Sequence, residues 1–309
     1  MMPEITLNRA DVDKAYAACQ AIARSRAKNF YYAFVALPEP RRNAICAFYA
    51  FMRQADDIAD DDESVPREER LRRLYEWMEG WRQVCRGGDT SDPVFIALRD
   101  ATERFAVPHS LLDELVAGVT MDLKPTTADA PETFETFTDL YGYCYGVASV
   151  VGLACIRIFG YKDPNAEKLA EETGVAFQLT NILRDVAEDA ERKRIYLPLE
   201  NLRAHGVSLE SLLNRAPGVP PTPAERALFV DIAQRAERYY QSTRALLPLI
   251  DRESRPAMWV LYSIYHRLLE RIQRADYDVF SRRISVPKVQ KLGILAVGQA
   301  RMALARLSV

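Results

Sequence analysis

The amino-acid sequence predicts an all-α protein, folded as a single helical bundle around a central apolar cavity. The chain has 309 residues, of which 49% are hydrophobic, so it is large and apolar enough to bury a sizeable core. It contains only 13 glycines, and its long stretches repeat apolar residues at spacings of three and four, which is the helical period. Few segments alternate as strands do, and no change in composition marks a boundary. Residues 1–309 are therefore expected to form one domain.

Helix starts are predicted from the Pro, Ser, Asp, Asn and Thr residues that favour a first turn. Gly87 and Gly88 end the third helix, and a proline-rich loop at 216–223 precedes the last two long helices. Short helical pieces are expected after Pro198, and an amphipathic segment at 286–309 closes the chain. The long helices are predicted at about 9–28, 40–60, 67–86, 93–105, 108–124, 133–160, 164–189, 224–247 and 256–276.

Two acidic clusters end long apolar segments that lie far apart in the chain. Asp56 and Asp60 belong to the first, with Asp57 between them, and Asp185 and Asp189 belong to the second. Residues four apart are neighbours on a helix, so each pair of carboxylates would repel unless a cation lay between them. Mg²⁺ is the expected ion, because it binds carboxylate oxygens together with the oxygens of a substrate diphosphate.

An acidic helix end is usually a solvated surface, but the positions of these aspartates argue against that alternative. Each cluster continues the stripe of apolar residues on its helix. Inward-facing carboxylates cost several kcal/mol unless they are paired, so we expect bound cations. The stripes run through Ile45, Phe48, Met52, Asp56 and Asp60, and through Leu169, Thr173, Phe177, Asn181, Asp185 and Asp189.

Several classes of protein are disfavoured by the sequence. A net charge of −2 gives no support for nucleic-acid binding, and no Gly-x-Gly-x-x-Gly, P-loop or nucleophile-elbow motif occurs. The five cysteines form no Cys-x-x-Cys pair, and the N-terminus lacks a signal pattern, so a cytoplasmic protein with reduced thiols is expected. The longest apolar run, 147–159, is too short to span a bilayer. The basic closing segment is expected to pack on the bundle, with membrane-surface contact as the alternative.

Three stretches together resemble the squalene/phytoene synthase family. They are residues 28–60, the Tyr-Gly-Tyr-Cys-Tyr-Gly stretch at 141–152, and residues 178–189 followed by Arg-Ile-Tyr-Leu-Pro at 194–198. The resemblance covers about residues 15–292. It implies the isoprenoid synthase fold and the head-to-head (1′-1) coupling of two identical prenyl diphosphates through a cyclopropyl diphosphate intermediate.

The resemblance also implies the residues of the site. Two to three Mg²⁺ ions would be held by Asp56, Asp60, Asn181, Asp185 and Asp189, and Tyr143 would act near the reacting carbons. Relatives often carry serines where this chain has Ala27 and Asn29, so Lys28 is expected to supply more of the diphosphate contacts. The predicted substrate-binding residues are Lys28, Asn29, Phe30, Arg53, Gln178, Asn181, Arg184, Tyr196, Tyr265 and Arg282.

The chemistry requires a dry pocket, because the carbocation left by the departing diphosphate would react with water. Three glycines, Gly142, Gly146 and Gly152, either open space for the isoprenoid tails or permit close helix packing, and the sequence leaves both alternatives open. The candidate walls of the pocket are Phe30, Phe34, Phe48, Val147, Val151, Leu179 and Leu183.

The leading hypothesis is the condensation of two farnesyl diphosphates to presqualene diphosphate or squalene. NADPH would be needed only if squalene is the final product. The alternative within the family is the condensation of two geranylgeranyl diphosphates to phytoene, and a non-catalytic protein that binds prenyl diphosphates is the alternative of another class. No transmembrane segment is expected, while transient contact with a membrane surface stays open because substrate and product are hydrophobic.

Overall fold

The computed structural model describes residues 8–27, 30–59, 65–123, 130–216 and 218–307. The chain is 75% helical, which confirms the predicted all-α class. In chain order the α-helices of the described residues are α1 (Arg9–Arg26), α2 (Phe30–Val35), α3 (Glu39–Ala59), α4 (Arg67–Cys85), α5 (Pro93–Phe105), α6 (His109–Met121), α7 (Phe137–Cys144), α8 (Val150–Phe159), α9 (Asn165–Glu191), α10 (Leu199–Ala204), α11 (Leu209–Leu213), α12 (Pro223–Leu246), α13 (Arg255–Arg274) and α14 (Lys288–Leu307).

One predicted helix start is wrong. The sequence predicts a helix from residue 133, but Glu132–Thr133 is a short strand, β1, that pairs in parallel with β2 (Arg194–Ile195). The helix begins instead at Phe137, because Thr136 caps it by accepting a hydrogen bond from the backbone N–H of Asp139. Asp139 in turn accepts from the backbone N–H of Thr136, which completes a capping box that Thr133 cannot form.

A continuous helical run from Phe137 to Phe159 crosses the centre of the bundle. It consists of α7, a π-helical segment (Tyr145–Ser149) and α8. By length and composition alone, this run of 23 residues would suffice to cross a membrane, whereas the apolar stretch noted in the sequence is too short. Half of the most apolar 18 residues of the run are buried inside the protein. It packs against α6 and α9, as a core helix of a folded bundle does.

Two glycines on the neighbouring helices allow this run to pack closely. A Cβ on Gly118 of α6 would lie 2.4 Å from the carbonyl oxygen of Gly146, and a Cβ on Gly174 of α9 would lie 2.5 Å from Cα of Ser149. Both contacts fall on the π-helical segment, where the chain is locally widened. The side chain of Ser149 also donates to the carbonyl oxygen of Glu171 at 2.6 Å, which ties the segment to α9.

Candidate active site

An apolar cavity of about 270 Å³ lies between α2, α3, α8, α9 and α13. Five of the predicted wall residues line it: Phe30, Phe34, Phe48, Val147 and Val151. The prediction was wrong for Leu179 and Leu183, which are buried in the bundle core and do not line the cavity. The lining face of α9 includes Phe177 and Asn181. Leu179 lies two positions from each of them, and with 3.6 residues per turn it therefore points to another side of the helix.

The acidic clusters lie one turn beyond the last cavity-lining residue of their helices. On α3 the last lining residue is Met52, followed by Asp56, and on α9 it is Asn181, followed by Asp185. Tyr265 of α13 lines the cavity together with Tyr49 of α3 and Asn181 of α9. Burial raises the pKa of Tyr265 to about 12. The charge of Arg184 opposes this rise, whereas Asp185 and Tyr49 add to it. The described parts of both clusters therefore border the same cavity. Asp60, which completes the first pair, lies outside the described residues.

Two arginines hold Asp185 in place. Its neighbour Arg184 makes a two-pronged ion pair with it, with one of the contacts at 2.7 Å. Arg283, in the segment before α14, reaches across to Asp185 at 2.9 Å and to Glu188 at 2.9 Å. The predicted Arg282 stays a prediction, whereas Arg283 was missed because sequence alone does not say which of two adjacent arginines contacts Asp185.

Asp189 and Asn181 have the properties expected of metal ligands. Burial, followed by the nearby charge of Asp185, raises the pKa of Asp189 to about 7 against the opposing charge of Arg194. The side-chain oxygen of Asn181 is buried and accepts no hydrogen bond. The buried carboxylate of Asp189 and the amide oxygen of Asn181, which accepts no hydrogen bond, suit a hard divalent cation that binds oxygen ligands. Among the described residues no three His, Cys, Asp or Glu side chains form a ready metal site, so Mg²⁺ stays a prediction.

The first cluster is more open than the second. Arg53 pairs with Asp57 one turn further along α3, and the side chain of Asp57 is 49% exposed. Arg53 is itself held in the rim of the site, where one of its guanidinium N–H groups is buried without a partner. An arginine that keeps an N–H group without a hydrogen-bond acceptor beside an acidic cluster is well suited to contact a diphosphate.

Tyr143 belongs to a buried cluster of hydroxyl and carboxylate groups. Its hydroxyl donates to Oδ1 of Asp122 at 3.0 Å, and the hydroxyl of Tyr196 donates to the same oxygen at 3.2 Å. The two rings stack with centroids 4.8 Å apart. Arg194 donates to the backbone carbonyl of Asp122 at 2.5 Å. Burial, followed by the charge of Asp122, raises the pKa of Tyr143 far above its usual range, so the phenol keeps its proton.

Asp122 was not predicted from the sequence, although one signal marks it. It is the residue at the C-terminal end of α6, where the helix dipole disfavours an acidic side chain. An aspartate at such a position indicates a compensating tertiary contact, and here Tyr143 and Tyr196 provide it.

Other predicted residues take up positions around the cavity, and two lie outside the described residues. Gln178 lines the cavity beside Asn181, and the ring of Tyr265 lies between Phe30 and Phe177, with centroid distances of 5.7 and 4.4 Å. Lys28 and Asn29 are the two residues that fall outside. Tyr143 does not line the cavity itself; it precedes the lining residue Val147 on the same helical run.

This chain is similar to known proteins along most of its length. The model of the squalene/phytoene synthase family matches residues 23–290. The chain belongs to this family. Phytoene synthase of Mycobacterium tuberculosis is 34% identical, covering 94% of this chain and 92% of the relative. The 15-cis-phytoene synthase of Synechocystis is 33% identical, covering 94% of this chain and 86% of the relative.

Solved structures agree on the fold. A dehydrosqualene synthase in complex with a ligand superposes with a TM-score of 0.82 and 29% identity, covering 95% of this chain and 98% of that protein. The squalene synthase HpnC from Alicyclobacillus acidocaldarius gives a TM-score of 0.77 with 24% identity, covering 88% and 97% of the two chains, and supports the fold alone. The isoprenoid synthase fold is thereby confirmed, and the chain is a prenyltransferase of the family that couples prenyl diphosphates head to head.

Proposed function

We propose that this protein condenses two geranylgeranyl diphosphates to phytoene. The observation that carries the choice of the C20 substrate is the set of relatives named phytoene synthases that match along 94% of the chain. The sequence alone had favoured the C15 substrate. The cavity supports the coupling reaction itself, because it offers an apolar space for isoprenoid tails, and each acidic cluster begins one turn after the last lining residue of its helix.

The polar rim would hold the diphosphates. Arg184, Arg53 and Arg283 are the guanidinium groups nearest the acidic clusters, and their planar donors suit diphosphate oxygens. Bound Mg²⁺, held by Asp56, Asp60, Asn181, Asp185 and Asp189, would neutralise the negative charge that develops on the leaving group. The apolar walls would keep water from the cation once the carbon–oxygen bond has broken.

The coupled cation must lose a proton, and we assign its removal to the Tyr143–Asp122 pair, because Tyr143 lies one turn before the cavity-lining residue Val147 on the same helical run. As the carbon–hydrogen bond breaks, the proton would pass to the phenolic oxygen of Tyr143, while the phenol passes its own proton to Asp122 at 3.0 Å. The phenol would remain neutral throughout, which its raised pKa favours. Phytoene needs no reductant on this route, whereas a squalene product would require a hydride from NADPH.

A second candidate is the coupling of two farnesyl diphosphates. It is supported by the dehydrosqualene synthase whose structure superposes along 95% of this chain. We expect a pocket to distinguish tails that differ by one isoprene unit by only a few kcal/mol. Both substrates therefore belong in the test. The non-catalytic alternative is set aside, because the relatives are enzymes.

The experiment is to incubate the purified protein with labelled C15 or C20 diphosphate and Mg²⁺, with NADPH added or withheld. We expect a C40 hydrocarbon from the C20 substrate without NADPH, and a lower kcat/KM for the C15 substrate. The Asp185→Ala variant is the control for background reaction. A C30 product as the preferred outcome, or a product that forms only with NADPH, would overturn the proposal.

A further inference from the structure

The last helix, α14, exposes an apolar face. Val289 is 79% exposed, Leu292 55% and Val297 46%, and these are three of the five large hydrophobic side chains exposed in the described residues. Their spacing places them on one side of the helix. Small exposed residues extend the same side. The outer face of α14 consists of Val289, Leu292, Gly293, Ala296, Val297, Ala300 and Ala303.

The opposite side of α14 is fixed to the bundle. Gly298 lies so close to α13 that a Cβ there would meet Cγ2 of Val260 at 2.4 Å. Gln299 donates to the carbonyl oxygen of Val35, the last residue of α2, at 2.9 Å. The guanidinium of Arg301 lies 4.2 Å from the ring centre of Trp259. The helix is therefore held in one orientation, and the outer face is not an unfolded or loosely attached segment.

The positive charge of α14 favours binding to an anionic partner. The helix carries Lys288, Lys291, Arg301 and Arg306 and no acidic residue, although the whole chain has a net charge of −2. An apolar face flanked by basic residues suits the surface of an anionic lipid bilayer, where apolar burial and charge attraction act together. A second copy of the same face would bring like charges together, so self-association through α14 is disfavoured.

The position of α14 connects this face with the cavity. The helix packs on α2 and α13, which contribute Phe30, Phe34 and Tyr265 to the cavity lining. It begins shortly after Arg283, which contacts the second acidic cluster. The phytoene of the proposed function has no polar group, and a wall of the cavity that rests on lipid would let it leave without crossing water.

We propose that the outer face of α14 docks the protein on an anionic bilayer and delivers the hydrocarbon product there. The argument about product delivery rests on the proposed function, whereas the docking surface rests on exposure and charge alone. Docking is therefore tested without substrate, and hydrocarbon formation is measured separately in detergent.

The experiment is sedimentation of the full-length protein with phosphatidylcholine vesicles that contain or lack phosphatidylglycerol. We expect binding to the anionic vesicles, and Leu292→Asp should weaken it by at least about tenfold. Val219→Asp is the matched control, because Val219 is 48% exposed in the loop before α12, and it should leave binding within about twofold of the parent. Lys288→Glu should weaken binding to the anionic vesicles only.

Each outcome decides the inference. Binding that is absent, or that Leu292→Asp and Val219→Asp weaken equally, would overturn it. So would a lipid-free dimer, seen by light scattering, that Leu292→Asp dissociates, because the face would then serve a second copy. If C40 product forms in detergent while vesicle binding is absent, only this inference fails. If vesicles bind but no C40 product forms, the docking surface stands, and the proposed function and product delivery fail.

Discussion

The two acidic clusters differ in how far their surroundings are already organised. On α9, Asp185 is 17% exposed and is held by Arg184 and Arg283. On α3, the side chain of Asp57 is 49% exposed, pairs with Arg53, and lies two positions before the helix ends at Ala59. The second cluster is therefore a fixed wall of the site, whereas the first lies at a helix end and its Asp57 is more exposed than Asp185. Changes in the second cluster should consequently have the larger effects.

The largest expected effect follows from removing a carboxylate from the fixed wall. Asp185→Ala should lower the rate of diphosphate release by at least about a thousandfold, since a group that neutralises transition-state charge is lost. Asp56→Ala, the matched change at a predicted ligand of the open cluster, should cost less, about a hundredfold. Far-ultraviolet circular dichroism should show unchanged helix content in both. Equal losses in the two variants would remove the distinction between the clusters.

The pair formed by Tyr143 and Asp122 should give the next largest effect. Tyr143→Phe and Asp122→Asn should each lower kcat by about a hundredfold with little change in KM, because proton transfer is impaired while binding is retained. Tyr196→Phe is the control, since it removes the other hydroxyl on the same carboxylate oxygen and should cost less than about tenfold. Near-equal effects of the two Tyr→Phe changes would contradict the role assigned to Tyr143.

The rigidity of the α9 wall can be tested through its glycine contact with the π-helical segment. Gly174→Ala should lower the free energy of unfolding by about 2 kcal/mol, because a Cβ there would lie 2.5 Å from Cα of Ser149. Gly142→Ala is the control, since nothing lies within 4 Å of its Cβ position, and it should stabilise the helix by up to about 1 kcal/mol. Urea denaturation measures both. A neutral Gly174→Ala variant would show that the wall is not closely packed.

The pH dependence of the metal-free protein follows from the raised pKa of Asp189. The folded pKa of Asp189, about 7, lies above its usual value of 3.8. Its contribution to stability is therefore fully present below about pH 4 and is lost as the pH rises through 7. Between pH 5 and pH 8 we expect the free energy of unfolding to fall by about 2 kcal/mol more in the parent than in Asp189→Asn. Parallel pH profiles of the two proteins would refute the assignment.

Much of the fold follows from local sequence signals. The helical period and the proline and capping residues predicted the long helices to within a few residues, as at Asp92 before α5, whose side chain accepts from the backbone N–H of Val94. The start of α7 was misplaced, because a capping box depends on a reciprocal pair and Thr133 resembles Thr136 when each is considered alone. The strand pair β1–β2 joins distant residues and has no local signal.

The site was predictable where a residue follows from helix periodicity, and not where it depends on tertiary contact. Asn181 and Asp185 continue the stripe of α9, and Asn181 does line the cavity. Asp122 and Arg283 come from a helix end and a connecting segment, and only packing brings them to Tyr143 and Asp185. Of the three glycines singled out in the sequence, Gly146 packs closely, since a Cβ there would lie 3.5 Å from Cα of Gly118, and Gly152 lies at the cavity lining. No atom of the described residues lies within 4 Å of a Cβ placed on Gly142.

We infer that the clusters on α3 and α9 act on one metal–diphosphate site. The most direct test is a crystal structure of the protein with Mn²⁺ and an unreactive thiodiphosphate analogue of the prenyl substrate, with the ions located by anomalous scattering. We expect Mn²⁺ ions coordinated by Asp56 and by Asp185 that share oxygens of the same diphosphate. Ions bound at one cluster only, or diphosphate bound away from both, would contradict it.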